Sequence, residues 1–273
     1  MRILNPLSAD LNVMRQTLLF NMLEAVALNV NRKNGDLKLY EFGNCYFYDE
    51  AKRTEADRLA PYSEEYRLAI AVTGVSTPHS WNTKPGKASF FTLRAVAEKL
   101  LRRFGIDIYA LETETLESDL FSDGLTMALN GRELLRIGSV APAIRRRTDL
   151  KQEVYFLEMN FDVLVRSTRK HRIVAAELSK FPEVKRDLAL LIDKRVTFSE
   201  LRDAAFAAER KLLRSVSLFD VYEGDKLPEG KKSYALSFVL EDKTRTLDEK
   251  TIERVMGNLV RQFEQRCGAQ VRA

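Results

Sequence analysis

The stretch that most restricts the fold is Thr197-Phe-Ser-Glu200, a helix start between strand-like runs. At this spacing the Thr hydroxyl and the Glu carboxylate satisfy amides that an α-helix leaves free in its first turn. Ahead of it, "KRDLALLID" (185–193) reads as a strand bounded by charges. Behind it, Phe198, Leu201, Ala205, Ala208 and Leu212 recur on one helical face. Two strands follow, at 214–222 and 232–241, joined by a loop holding Gly224, Pro228 and Gly230. Thr246-Leu-Asp-Glu249 reads as a second capping box, and Ile252, Val255, Met256, Leu259, Val260 and Phe263 form the core stripe behind it. "AQVRA" supplies a last strand. The order β-α-β-β-α-β is the ferredoxin-like arrangement, in which helices cover one sheet face and leave the other open. RNA-recognition modules use such open faces, but the topology alone assigns no activity.

The amino part reads differently. A long helix is predicted over 13–32, then strands at 37–48, 66–75, 124–130 and 132–140. The last two meet at Asn130-Gly131, a strong hairpin signal. "SFFTLRAVAEKLLRRFG" (89–105) is an amphipathic helix closed by Gly105, with Phe90, Phe91 and Leu93 expected in the core. "VYFLEMNFDVLV" (154–165) is a strand running into a turn or short helix, and Glu158 and Asp162 on it read as surface strand-end carboxylates. Hairpins dominate, so the expectation is an antiparallel sheet flanked by helices, giving an α+β chain of two domains. The boundaries expected are 1–165, a linker at 166–182 opening with Arg166, Arg169, Lys170, His171 and Arg172, and 183–273.

Composition excludes several classes. Cys45 and Cys267 lie far apart, which makes neither a disulfide framework nor a zinc pattern and fits a reducing cytoplasmic setting. His79 and His171 are isolated, read as surface residues, and no metal site is expected. No apolar run reaches membrane-spanning length, and the first residues lack the apolar core of a signal peptide. The net charge of +5 is compatible with a polyanionic partner without requiring one.

Several segments in register resemble one family. "NPLSADLNVMRQTLL", "LYEFGNCYF", "RELLRIGSVAPAI" and "VYFLEMNFDVL" are similar, in order, to the β subunit of bacterial phenylalanyl-tRNA synthetase. "SKFPEVKRDLALLID", "LFDVYEG", "GKKSYALSFVL" and "RTLDE" resemble its carboxyl-terminal anticodon-binding domain. The chain is read as the end of that longer subunit. The resemblance implies a class II synthetase-like antiparallel sheet with flanking helices, non-catalytic, followed by a ferredoxin-like βαββαβ anticodon-binding domain. Tyr48 and the segment 158–162 stand where an active class II synthetase carries nucleotide-binding arginines. Carboxylates there would repel the phosphates that arginines and magnesium hold during adenylate formation. No catalytic residue and no cofactor is therefore expected in this chain, ATP and magnesium being used by the complete enzyme. "GSVAP" (138–142) and "SFFTLRA" (89–95) depart from the family pattern, with consequences for local packing. The expected partners are the phenylalanyl-tRNA synthetase α subunit and tRNA(Phe), with no membrane and no DNA. The alternative is a ferredoxin-like small-molecule regulatory module fused to a pseudo-enzyme.

The hairpin of 214–241 gathers unusual chemistry at one end. Alternation places Val216, Leu218, Asp220 and Tyr222 on one face and Phe219 and Val221 on the other, the latter expected to meet the helices. Asp220 and Tyr222 then project from the open face, with Ser233 beside them. Taken alone, Tyr222 could be a rim tyrosine, with Asp220 and Ser233 supporting the turn. The resemblance implies instead that Tyr222 stacks on an anticodon base, that Asp220 and Ser233 read a guanine edge, and that Lys231 and Lys232 contact phosphates.

Overall fold

Strands and helices fall into two units, Met1–Ile173 and Val174–Ala273. The computed structural model describes residues 1–6, 8, 12–169, 174 and 179–272. The elements of the first unit are α1 (Leu19–Asn31), β1 (Leu37–Tyr48), β2 (Tyr62–Thr73), β3 (Val75–Thr77), β4 (Gly86–Lys87), α2 (Phe90–Arg103), β5 (Glu112–Thr115), β6 (Phe121–Leu129), β7 (Arg132–Val140), α3 (Pro142–Arg147), β8 (Val154–Asn160) and α4 (Phe161–Thr168). Its main sheet is antiparallel throughout, in the order β1-β2-β8-β7-β6-β5. Alternation along β8 sends Val154 and Phe156 to a core shared with Leu19, Leu23 and Val26 of α1. Leu157 and Met159 go to the opposite face, packed with Leu93 and Leu101 of α2 and Leu164 of α4. Both faces are covered, which the expected flanking helices required. β6 and β7 turn at Asn130-Gly131, whose φ of 53° and 70° are the left-handed pair that a type I′ hairpin needs.

Three local expectations change. The helix expected from residue 13 begins at Leu19, because Val13 instead bridges Arg2 and the Met14 amide donates to the Met1 carbonyl at 3.0 Å. Phe91 is 71% exposed, while Leu93 is buried and Phe90 packs against the core, so only part of that stripe is interior. α4 continues to Thr168, past the expected boundary at 165. Arg166 and Arg169 are exposed at its end, and Lys170, His171 and Arg172 lie outside the described residues.

The second unit contains β9 (Val184–Asp193), α5 (Phe198–Ala208), β10 (Leu213–Tyr222), β11 (Lys231–Leu240), α6 (Glu249–Cys267) and β12 (Gln270–Val271). The strand order β10-β11-β9-β12, with every pair antiparallel, is the ferredoxin-like sheet. Leu190, Ile192, Leu236, Phe238 and Leu240 pack under Leu201 of α5 and Ile252, Val255, Leu259 and Phe263 of α6. The Thr197–Glu200 capping box forms in both directions. The second box does not. Asp248 caps α6 by accepting from the Thr251 amide at 2.7 Å, and Glu249 pairs with Arg186 at 2.9 Å. The helix therefore starts too late for Thr246 to reach its free amides.

Candidate nucleic-acid interface

The open face of the second sheet depends on one irregularity. β10 pairs with β11 as Leu218 with Leu236, then Asp220 with Ala235, so Phe219 is an extra residue in a β-bulge. A bulge shifts the alternation by one residue. Val216 and Leu218 consequently pack toward the helices, whereas Asp220 and Tyr222 emerge opposite Ala235 and Ser233. The expected position of Asp220 and Tyr222 is found, but not for the expected reason. Phe219 and Val221, expected against the helices, are 59% and 49% exposed.

Asp220, Tyr222 and Ser233 line one cavity of ≈ 480 Å³, floored by Ala189 and Ala235 and flanked by Lys226 and Arg272. The Tyr222 ring is held from two sides. The Arg272 guanidinium lies 5.5 Å from its centroid, and a Cβ at Gly224 would come 2.5 Å from its hydroxyl, so only glycine leaves the ring this path. Arg272 is positioned by its backbone amide, which donates to the Ala189 carbonyl at 2.8 Å. Among the described residues, the Asp220 carboxylate and the Ser233 hydroxyl have no side-chain partner. An anionic acceptor, a hydroxyl and an aromatic ring therefore share one recess with two cations at its rim.

The two lysines expected alongside sit elsewhere. Lys231 faces Asp193 at 3.6 Å. Lys232 is buried, its ammonium 4.5 Å from the centroid of the Tyr234 ring. Sequence reasoning instead missed Lys226 and Arg272. Lys226 was visible in the same loop, but nothing local marked Arg272, which reaches the recess only because β12 adds to β9.

The first unit holds a second polar concentration, on the α1 side of its sheet. Glu158 is 6% exposed, so it is an interior carboxylate and not the surface one expected. It accepts from the Leu18 amide at 2.7 Å and the Thr17 hydroxyl at 2.9 Å, and it pairs with Arg67. Arg67 also pairs with Glu65 at 2.7 Å and lies over the Phe47 ring. Burial works against the Arg67 charge, but Glu158 and Glu65 outweigh it and raise its pKa. Beside them, burial and then the Glu158 charge push the Cys45 thiol up to about 11, so it stays protonated at neutral pH. Arg15 pairs with Glu41 at 2.8 Å and fills the space over Gly43, where a Cβ would come 2.1 Å from its guanidinium. Each of these arginines is thus matched to a carboxylate of the same chain. Asp162, the other carboxylate expected at the surface, accepts from the Tyr66 amide at 3.0 Å.

Among the described residues, no group of three or more His, Cys, Asp and Glu is placed to hold a metal ion, and no helix is long and apolar enough to cross a membrane.

Residues 1–161 match the family model described as the phenylalanyl tRNA synthetase beta chain CLM domain, and residues 179–272 match the ferredoxin-fold anticodon binding domain. Among curated proteins, the phenylalanine–tRNA ligase beta subunit of Bacteroides fragilis is 46% identical over 271 residues, 99% of this chain and 33% of that protein. The namesake subunit of Bacteroides thetaiotaomicron matches at the same identity and coverage. That of Syntrophotalea carbinolica is 32% identical over 272 residues, again 99% of this chain and 33% of that protein. The chain spans about a third of the length of the curated relatives it matches.

Proposed function

Because the chain belongs to the phenylalanyl-tRNA synthetase β-chain family, we propose that it is the non-catalytic part of a phenylalanine–tRNA ligase that docks the catalytic α subunit and binds the anticodon of tRNA(Phe). In this reading the complete enzyme acts in the cytoplasm and uses ATP and magnesium, and this chain contributes neither the nucleotide site nor the metal. The pairing of Arg15 with Glu41 and of Arg67 with Glu65 and Glu158 supports a supporting role, since those cations are already neutralised within the chain.

The observation that carries the anticodon reading is the shared recess of Asp220, Tyr222 and Ser233 on the open sheet face. An unpaired base can stack on the exposed part of the Tyr222 ring. The Asp220 carboxylate can accept from the N1–H and exocyclic amine of guanine, a donor pair that adenine lacks. Ser233 can complete the base edge. Lys226 and Arg272 take over the phosphate contacts first expected of Lys231 and Lys232, for neither of those lines the recess.

Binding of tRNA(Phe) by the assembled αβ enzyme tests this. Tyr222→Ala should cost roughly 1–3 kcal/mol of affinity, and Tyr222→Phe, which keeps the ring, much less. Asp220→Ala should narrow the difference between tRNA(Phe) and a transcript with adenine at the first anticodon position. Unchanged affinity in a folded Tyr222→Ala enzyme would make the recess a structural corner.

The division into 1–165, a linker at 166–182 and 183–273 belongs to the same reading. Limited proteolysis is expected to cut within 166–182 first and to leave the second unit whole, because that unit has its own closed core. Early cutting between 185 and 265 would rule this division out.

A further inference from the structure

Trp81 is the only tryptophan in the chain and is 96% exposed, more than any other large apolar residue described. A tryptophan left bare forgoes one of the largest apolar burials a side chain can make. The turn that carries it is nevertheless tied down. Ser80 and Thr83 exchange backbone hydrogen bonds of 3.2 and 3.4 Å, and the Ser80 hydroxyl donates to Asn82 Oδ1 at 2.7 Å. At the base, β3 pairs with β4, the Ser76 hydroxyl donates to the Gly86 carbonyl at 3.1 Å, and Lys38 Nζ donates to the Ser76 carbonyl at 2.9 Å. The hairpin is a bracket that holds an indole away from the core.

Its surroundings say what the indole meets. Residues 66–97 contain no Asp or Glu, although the chain carries 39 of them. His79, Lys84 and Lys87 are exposed around Trp81, and neither lysine has a carboxylate partner among the described residues. Asp36, the carboxylate at the hairpin base, is engaged by the Val75 amide at 2.7 Å. A protein pocket for Trp81 would have to supply acidic groups for these lysines at the same time. A nucleic acid brings both parts in one ligand, because every unpaired base offers a π-face and every nucleotide a phosphate.

We propose that the hairpin around residues 76–87 is an RNA contact in its own right, with Trp81 stacking on an unpaired base and Lys84 and Lys87 holding the adjoining phosphates. It shares no residue with the recess of Asp220, Tyr222 and Ser233 and does not rest on the anticodon reading.

The single tryptophan makes the test specific to this position. The full chain carrying Tyr222→Ala, which silences the other proposed stacking site, is titrated with a single-stranded oligoribonucleotide and, separately, with inorganic polyphosphate. RNA is expected to quench Trp81 emission and shield it from acrylamide, whereas polyphosphate, which lacks bases, should do neither. In the same background, Trp81→Ala should lower affinity for a labelled oligoribonucleotide roughly 5–150-fold, and Trp81→Phe should lower it less. Replacing Lys84 and Lys87 together by alanine should flatten the salt dependence of binding. RNA binding that leaves Trp81 emission and acrylamide access unchanged would overturn the proposal. So would shielding of Trp81 by an acidic protein surface but not by RNA.

Discussion

Replacing Glu158 by alanine is expected to destabilise the first unit by roughly 3–5 kcal/mol, the range for removing one partner of a buried ion pair. Three donors lose an acceptor at once. Arg67, whose side chain is 12% exposed, keeps Glu65 as its one carboxylate. The Leu18 amide, on a fully buried residue, is left without a partner, and the Thr17 hydroxyl keeps only the Leu19 amide, from which it accepts at 3.2 Å. Leu18 precedes α1 and its own side chain caps nothing; the Thr17 hydroxyl accepts from the Leu19 amide and Glu158 from the Leu18 amide at 2.7 Å, so the two close this helix start together. Hydrogen exchange should therefore rise first across 18–31, together with a lower denaturation midpoint. Glu158→Gln keeps the shape and an acceptor for the Leu18 amide but gives up the charge opposite Arg67, and it should lose less. A cost below about 1 kcal/mol for the alanine variant, typical of exposed pairs, would show that the carboxylate is not a strut.

Phe263→Ala should cost the second unit about 3–5 kcal/mol through lost burial and the cavity left behind. Phe263 and Phe238 are both fully buried, their rings 5.9 Å apart, and they join α6 to the central strand β11. The same strand presents Ser233 and Ala235 to the open face, so loosening it should also weaken the tRNA binding proposed for the recess. Denaturation should show the loss in α6 and β11, with the first unit's exchange pattern unchanged. Tyr222→Ala is the contrast, because Tyr222 is 36% exposed and outside this core, so it should alter binding and leave the midpoint nearly unmoved. If Phe263→Ala left the unit's stability intact, the packing of α6 on the sheet would not be what holds the open face in place.

Much of this was legible from residues alone where the deciding contacts are short-range. The span of β1, the Asn130-Gly131 turn, the Thr197–Glu200 cap and the stripe from Ile252 to Phe263 each follow from groups a few residues apart. The second helix cap was misread because Thr246 and Asp248 are both good capping residues, and where α6 starts decides between them. Asp220, Tyr222 and Ser233 could be singled out as a polar group on an apolar hairpin, but alternation alone put Val216 and Leu218 on their face. A bulge has no signature in the hydrophobic pattern of β10, since its position depends on the register against β11.

Sequence by itself determined the ferredoxin-like topology of the second unit and the longer strands and helices of the first, because amide satisfaction and hydrophobic periodicity are local. Tertiary structure decided how the start of α1 is closed, since beside the local Thr17 hydroxyl its Leu18 amide is taken by Glu158, 140 residues along the chain. It also decided the composition of the recess: Phe219 bulges so that Asp220 faces outward, and β12 brings Arg272 to the Tyr222 ring while Lys232 turns inward to Tyr234. These outcomes belong to pairs of segments, and no window of sequence contains both partners.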